Sequence, residues 1–230
     1  MAFHDLRGFL QHLGARGQLR ELTVPVDPEL ESTALCLRAL QAQGPALLMP
    51  AAGSAHPLLG NLFGHRRRIE LALAGRPLAS LRELGELLAA VKEPRWPGNL
   101  RQALAQWPEL AQLAHVAPQK VREAVRSGED VDLGVLPVQR CWPEDAGRLI
   151  TFGLVVTRGT RQQRQNVAIY RQQVIGRNRV IMRWLPHRGG ALDFADWQAA
   201  HPDRPFPVLV AIGADPATLL AAMAPLPDTL

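Results

Sequence analysis

LITFGLVVT (149–157), NVAIYR (166–171) and VIMRWL (180–185) follow one another in the second half of the chain. Runs of β-branched and aromatic residues favour strands. The turn-rich segments Arg158-Gly159-Thr160 and Gly176-Arg177-Asn178 separate the three runs. This spacing predicts an antiparallel meander, as in a small β-barrel or sandwich.

The first half of the chain alternates between helical and strand patterns. Apolar residues at helical spacing predict a first helix from Leu6, with Asp5 as its N-cap and an end at Gly14 to Gly17. The elements expected after it are a strand over 19–26, a helix over 29–43, a buried strand over 46–49, a strand and turn over 58–64, and helices over 78–92 and 100–113. We expect the helix over 29–43 to bury Leu30, Ala34, Leu37 and Leu40.

These two patterns, alternating helices and strands in the first half and mostly strands in the second, predict an α+β protein of two domains. Residues 1–115 would form an N-terminal α/β domain, and residues 116–230 a β-rich domain. Near the end, Asp215 and Pro216 predict the N-cap and first turn of a helix over 217–223. The chain then stops after four or five predicted strands, which would leave sheet edges unpaired.

Composition excludes several function classes. The 230 residues carry 26 Lys and Arg against 21 Asp and Glu, and only two of the basic residues are lysines. Basic and acidic residues are interspersed except at 66–68, so we expect no nucleic-acid binding. No apolar run reaches the roughly 18 residues of a membrane span. The N-terminus lacks the apolar core of a signal peptide, and Cys36 and Cys141 lie far apart, so we expect a cytoplasmic protein without a disulfide framework or zinc site.

The densest cluster of polar and chemically capable residues lies between Asn166 and Gly190. The Asn166 amide and the His187 imidazole suit a divalent ion such as Mn²⁺ if phosphate oxygens fill the remaining positions. The paired glycines 189 and 190 would end a strand and admit a phosphate close to the backbone. The alternative is that the arginines are solvated strand residues and the double glycine is a plain turn. Catalysis by Cys141 is disfavoured because no histidine lies near it in the sequence.

These residues belong to a longer set of ordered motifs that resembles the UbiD family of prenylated-flavin-dependent decarboxylases. The matching segments are DLRGFL (5–10), VDP (26–28), GPALL (44–48), GNLFG (60–64), CWPEDA (141–146), RQNVAIYRQQ (164–173), MRWLPHRGGALD (182–193) and GADPAT (213–218). Within the family, the strongest likeness is to enzymes of ubiquinone biosynthesis. The resemblance implies a substrate that is a prenylated 4-hydroxybenzoate, an aromatic carboxylic acid.

The resemblance also implies a cofactor and its binding residues. The cofactor would be prenylated FMN, held with Mn²⁺ and often K⁺ in a domain built on a split β-barrel. Asn166 and His187 match the family's metal ligands. The residues that match the cofactor lining are Ile169, Tyr170, Arg171, Arg183, Trp184, Leu185, Arg188 and Gly189.

Arg171 matches the family's catalytic arginine, which stands between two glutamates. A guanidinium can hold a substrate carboxylate and fix neighbouring carboxylates in defined protonation states. Two positions depart from the family pattern, because Pro186 replaces a common serine and Ala168 a common glycine. The family's third metal ligand, a glutamate, is expected just after Leu230, and its other acidic catalytic residues come later. We therefore expect the 230-residue chain alone to be inactive.

Several alternatives remain open on this resemblance. The substrate could be another aromatic or α,β-unsaturated acid, since much of the substrate pocket lies in the part of the family pattern that follows. The chain could also be an inactive flavin-binding remnant, or a split-barrel oxidoreductase, although the latter gives Asn166, Arg171 and His187 no role. The implied partners are a flavin prenyltransferase that supplies the cofactor and further copies of the full-length chain. A prenylated substrate would suit peripheral contact with the inner membrane, but the sequence shows no amphipathic anchor.

Overall fold

The computed structural model describes residues 3–73, 75–77, 79, 82, 85, 125–160 and 165–223. The first part contains α1 (Leu6–Gly14), β1 (Leu19–Glu21), α2 (Glu31–Gln41), β2 (Ala46–Met49), β3 (Leu58–Gly60) and α3 (Arg66–Ala72). The second part contains two 3₁₀ turns (Gly128–Asp130 and Leu133–Val135), β4 (Leu149–Ile150), β5 (Leu154–Thr157), β6 (Asn166–Ile169), β7 (Gln172–Gly176), β8 (Arg179–Met182), α4 (Gly189–Ala200), β9 (Leu209–Ala211) and α5 (Pro216–Ala221).

The first sheet is centred on β2, which pairs with β1 in parallel and with β3 antiparallel. As predicted, residues 46–49 form a buried strand, because β2 is covered on both faces. Met49 belongs to one core cluster with Val26 and Leu58, and Ala46 belongs to a second cluster around α1. The predicted strand over 19–26 is shorter than expected and continues only as an isolated bridge between Val26 and Ala51.

Helix α1 confirms the predicted capping. The Asp5 carboxylate accepts a hydrogen bond from the Gly8 backbone N–H at 2.8 Å, which satisfies one of the free donors of the first turn. Phe9 and Leu13 lie one turn apart on the buried face of the helix. The predicted helix is therefore confirmed, and its buried face packs on Ala46 of the first sheet.

Helix α2 presents a different face to the core than the one predicted. Leu30, Leu37 and Leu40 are 36%, 42% and 43% exposed, and Ala34 is exposed as well. The face that packs against β2 and β3 instead carries Leu35, Cys36 and Ala39. The prediction was wrong because leucines are spread around this helix, so their spacing does not identify the buried side.

The second part forms two small antiparallel sheets rather than one meander. One sheet has the order β4-β7-β8 and the other β6-β5-β9. The run over 149–157 is interrupted at 151–153, and its two pieces, β4 and β5, belong to different sheets. Across the described residues, these strands do not form a closed barrel. The architecture is a mixed α+β fold with small sheets.

Helix α4 replaces the strand end predicted at the double glycine. Gly189 and Gly190 form its first turn, and the preceding strand ends at Met182 rather than at residue 185. The buried residues of α4 are Gly190, Asp193 and Asp196. Because the fully buried positions are a glycine and two aspartates, while Leu192 and Phe194 are exposed, the helix lacks the apolar periodicity by which it could have been predicted.

The two parts contact each other along α2. Gln139 Nε2 donates to Ser32 Oγ at 2.8 Å, and Arg140 forms an ion pair with Glu29 at 2.7 Å. The predicted domain boundary near residue 115 and the predicted helix over 100–113 lie outside the described residues, as does most of the helix over 78–92. Among the described helices, none is long and apolar enough to span a membrane.

Candidate functional site

Asn166 is held at the open end of the β5–β6 pair. It is the first residue of β6 and lies directly opposite Thr157, the last residue of β5. Its Nδ2 donates to Thr157 Oγ1 at 3.0 Å. The short distance follows from the antiparallel register, which brings directly opposite side chains together on one face of the sheet.

Thr157 connects this pair to helix α4. Its hydroxyl donates to Asp193 Oδ2 at 2.7 Å. Thr157 and Asp193 are each only 2% exposed. Buried polar groups are stable only when hydrogen-bonded, and this bond satisfies both the hydroxyl and one carboxylate oxygen. The result is a chain of hydrogen bonds from α4 through β5 to the Asn166 side chain, which we call the Asn166–Thr157–Asp193 network.

The first turn of α4 lies directly against Asn166. A Cβ added at Gly189 would stand 2.3 Å from Asn166 Oδ1, closer than any side chain permits. A Cβ added at Gly190 would stand 3.1 Å from the Trp184 ring, and the Gly190 N–H donates to the Tyr170 hydroxyl at 3.1 Å. The two glycines therefore allow the protein's own side chains to approach closely, Asn166 at Gly189 and both Tyr170 and Trp184 at Gly190.

An aromatic cluster fixes the segment that precedes α4. The Trp184 ring lies 6.1 Å from Tyr170, 6.0 Å from Phe194 and 5.9 Å from Phe206, measured between ring centroids. Edge-to-face and tilted contacts at these distances stabilise aromatic pairs beyond the area they bury. The side chains of Tyr170 and Trp184 are partly buried in this cluster and hold residues 184–190 against β6.

The remaining predicted site residues line the outside of this arrangement. His187 and Gly189 follow Trp184 in the same segment, with His187 exposed and Gly189 partly buried. Ile169 is partly buried, and four further predicted lining residues are exposed, namely Arg171, Arg183, Leu185 and Arg188. In the part of the chain that the structure describes, Arg171 makes no side-chain hydrogen bond or ion pair. The structure thus brings Asn166 to the His187–Gly190 segment and leaves the arginines at the surface.

The donors present suit part of a metal coordination sphere. Asn166 Oδ1 accepts no hydrogen bond within the described residues, and the exposed His187 imidazole offers a nitrogen two positions before Gly189. An amide oxygen and an imidazole are ordinary ligands of Mn²⁺. Over the described ranges, no three His, Cys, Asp or Glu side chains form a metal-binding group. The two side chains therefore offer donors of the kind that a divalent cation takes.

A shallow groove of about 370 Å³ lies far along the chain from this network, between α2 and the 61–64 turn. Its lining includes Cys36, Leu37, Leu40, Phe63 and Trp142. Burial raises the pKa of the Cys36 thiol, which lowers its thiolate fraction at neutral pH. Cys36 and Cys141 are both free thiols. Among the described residues that line this groove, no nucleophile is paired with a base.

Sequence reasoning missed Thr157 and Asp193. Both stand inside segments that the sequence had singled out, Thr157 at the end of the first strand run and Asp193 at the end of MRWLPHRGGALD. The sequence shows a Thr at the end of a strand run and an Asp after the double glycine, but nothing in it pairs the two. Only the strand register and the position of α4 bring these residues together, since they lie 36 positions apart.

Comparison with known proteins covers most of the chain. The family model described as 3-octaprenyl-4-hydroxybenzoate carboxy-lyase Rift-related domain (UbiD) matches residues 114–230, which is just over half of the chain. The model described as 3-octaprenyl-4-hydroxybenzoate carboxy-lyase N-terminal domain (UbiD_N) matches residues 10–88. The first of these matches contains the whole Asn166–Thr157–Asp193 network.

Solved structures agree with these matches. Vanillic acid decarboxylase from Sedimentibacter hydroxybenzoicus in its closed form aligns at 25% identity with a TM-score of 0.74, over 98% of this chain and 46% of that one. The UbiD-class enzyme HmfF from Pelotomaculum thermopropionicum, in complex with FMN, aligns at 30% identity with a TM-score of 0.70, over 95% and 44%. An apo 3,4-dihydroxybenzoic acid decarboxylase from Enterobacter cloacae shares the fold at 24% identity and a TM-score of 0.71, over 100% and 46%. The chain thus spans less than half the length of each of these proteins.

Proposed function

The chain belongs to the UbiD family, and we propose that it is the N-terminal portion of a non-oxidative decarboxylase that removes CO₂ from an aromatic carboxylic acid. The observation that carries this proposal is the Asn166 amide oxygen, which accepts no hydrogen bond within the described residues and lies against Gly189, two residues after His187. The descriptions of both matching family models favour 3-polyprenyl-4-hydroxybenzoate, the substrate of ubiquinone biosynthesis.

Prenylated FMN and Mn²⁺ are the cofactors of this proposal, with K⁺ as a further candidate. Asn166 and His187 would ligate Mn²⁺, in a domain of the split-barrel type that spans residues 116–230 and follows an N-terminal α/β domain over 1–115. One structural neighbour contains FMN, and another contains prenylated FMN. When bound, the modified flavin would supply an electron sink for the electron pair that CO₂ leaves behind.

The chain's own residues would bind and orient the reactants. Arg171 and Arg183 offer exposed guanidinium groups to a carboxylate, and Arg171 is the proposed catalytic residue. Arg188 and the Gly189 N–H, at the N-terminus of the 12-residue helix α4, would offer a positive charge and a hydrogen-bond donor to a flavin phosphate. The backbone and side chains of Ile169–Arg171, Arg183–Leu185 and Gly189 would line the cofactor, while the partly buried Tyr170 and Trp184 rings also pack in the aromatic cluster.

A structural neighbour supports an alternative substrate, an aromatic acid without a prenyl chain. The vanillic acid decarboxylase that aligns at 25% identity acts on an aromatic acid without a prenyl chain, as its name states. Decarboxylation of such an acid is therefore the alternative. The partners proposed are a flavin prenyltransferase that supplies the cofactor, and a second copy of the full-length protein.

Variants of the full-length protein, matured with the flavin prenyltransferase, test the proposal. Arg171→Ala should lower CO₂ release by at least about a hundredfold and spare most flavin binding, since only the substrate's cationic partner is lost. Asn166→Ala and His187→Ala should lower Mn²⁺ and flavin occupancy together, measured by electron paramagnetic resonance and absorbance.

Arg177→Ala is the matched control. Arg177 is an exposed arginine on the β7–β8 turn, paired with Asp132 at 3.4 Å and outside the site, so this variant should retain wild-type turnover. Equal metal and flavin occupancy in the Asn166, His187 and Arg171 variants would contradict the assigned roles. Failure of the wild-type enzyme to decarboxylate either class of aromatic acid would contradict the activity.

A further inference from the structure

We propose that Thr157 and Asp193 are positioning residues that set the orientation of the Asn166 amide, so that its oxygen faces the metal. This inference rests on the proposed function, because it takes Asn166 as a metal ligand. An asparagine side chain can turn its oxygen or its NH₂ group toward a given neighbour, and only the oxygen can bind a cation. Something in the protein must therefore select between the two orientations.

The donors and acceptors of the network determine the orientation of the Asn166 amide. The Asp193 carboxylate can only accept hydrogen bonds, so the single proton of the Thr157 hydroxyl points to Asp193 Oδ2, 2.7 Å away. The hydroxyl oxygen is then left as an acceptor. The Asn166 group 3.0 Å from it must be a donor, which is the NH₂ group. Asn166 Oδ1 consequently points away from Thr157 and toward Gly189.

Burial makes this selection strong. Thr157 and Asp193 are both 2% exposed, so water does not compete for the hydroxyl proton or the carboxylate oxygen. If Asn166 turned around, its oxygen would face an oxygen without a proton to offer, and the hydrogen bond between the Asn166 NH₂ group and the buried Thr157 hydroxyl would be lost. The charge on Asp193 therefore acts on the metal site through two hydrogen bonds, without contacting the metal.

A second Thr–Asp pair, whose aspartate lies on the same helix, provides an internal comparison. Thr160 Oγ1 donates to Asp196 Oδ2 at 3.0 Å, about one helical turn from Asp193. Like the first pair, it joins α4 to the β5 end of the sheet. Its Thr hydroxyl is not bonded to Asn166, so it should stabilise the docking of α4 without any effect on the amide.

The test measures the Mn²⁺ affinity of the full-length protein by electron paramagnetic resonance, with FMN saturating in every sample. Thr157→Val keeps the shape of the side chain but removes the hydroxyl, and should weaken Mn²⁺ binding about 10- to 100-fold. Asp193→Asn should weaken it to a similar extent, because an amide at 193 can donate to Thr157 and release its proton toward Asn166. Thr157→Ser retains the hydroxyl and should restore affinity to within about threefold of the wild type.

Thr160→Val is the matched control and should leave Mn²⁺ affinity unchanged even where it lowers stability. The inference is overturned if Thr157→Val and Asp193→Asn bind Mn²⁺ as tightly as the wild type while Asn166→Ala does not. It is also overturned if Thr160→Val weakens binding as much as Thr157→Val, since docking of α4 alone would then explain the loss. Equal binding by wild type and Asn166→Ala would instead overturn the metal site itself. Asp193→Asn changes no side-chain volume, so it remains informative if Thr157→Val fails to fold.

Discussion

Arg68 in the first part of the chain and the Asn166–Thr157–Asp193 network in the second both bury polar groups. They differ in whether every polar group of the arrangement has a hydrogen-bond partner. Arg68 is 0% exposed, and its guanidinium donates to three backbone carbonyls, those of Leu62 at 2.8 Å, Gly44 at 2.9 Å and Asn61 at 2.9 Å. Every acceptor in that arrangement belongs to the surrounding turns. Burial lowers the pKa of Arg68, although a guanidinium stays charged at neutral pH.

The second network is open at one end. Its hydrogen bonds run from Asp193 to Thr157 to Asn166, and the Asn166 oxygen at the end accepts nothing within the described residues. A closed network stabilises the fold, whereas an open one presents a group that a ligand can use. The basic segment 66–68 is therefore only partly a surface feature, because Arg66 and Arg67 are exposed whereas Arg68 is buried and joins the turn at Gly44 to the 61–64 turn.

Removal of the Arg68 guanidinium should have the largest effect on stability. Arg68→Met keeps most of the side-chain volume but leaves three carbonyls without their donor, so we expect a loss of about 3 to 5 kcal/mol in the free energy of unfolding. Urea denaturation measures this loss. The Mn²⁺ affinity of the molecules that remain folded should not change. A loss below about 1 kcal/mol would mean that the carbonyls find water instead.

Gly189→Ala should displace the Asn166 amide oxygen, the group of the network that has no partner, with little effect on stability. The added methyl would stand 2.3 Å from Asn166 Oδ1, so the amide oxygen must move from its position. We expect Mn²⁺ affinity to fall about 10-fold and stability to change by less than about 1 kcal/mol, since alanine is favoured over glycine in a helix.

Gly14→Ala controls for the substitution itself. A methyl at Gly14, the last residue of α1, would meet nothing within 4 Å. That variant should keep wild-type Mn²⁺ affinity. Undiminished Mn²⁺ binding in Gly189→Ala would show that Asn166 reaches the metal in another position.

Arg66→Ala should have the smallest effect and sharpens the comparison within the basic segment. Arg66 pairs with Glu70 at 3.0 Å on the exposed side of α3, and its side chain is 68% exposed. Exposed pairs of this spacing contribute about 0.3 to 0.5 kcal/mol. Urea denaturation beside Arg68→Met should therefore show at least a severalfold smaller loss. Comparable losses would mean that the charge of the segment, and not the burial of Arg68, stabilises this region.

The sequence revealed the parts of the fold that depend on neighbouring residues. The Asp5 and Asp215 caps were predicted because a capping carboxylate bonds to N–H groups two or three residues away, as Asp215 does to Ala217 and Thr218 at 3.0 Å. The buried strand 46–49 was predicted because its residues are apolar without interruption. The motifs that contain Asn166 and His187 were recognised from their residues and their order along the chain, which requires no knowledge of the geometry.

Tertiary structure alone decided which faces of these elements pack together and which distant residues form hydrogen bonds. Leucines surround α2, so only its docking on β2 and β3 selects Leu35, Cys36 and Ala39 as the buried face. Helix α4 buries aspartates, which no apolar pattern reports. Thr157 becomes the partner of Asn166 through the β5–β6 register, and of Asp193 through the position of α4. These contacts join residues 9 and 36 positions apart, and such pairings depend on how whole elements pack, which a local pattern of residues does not encode.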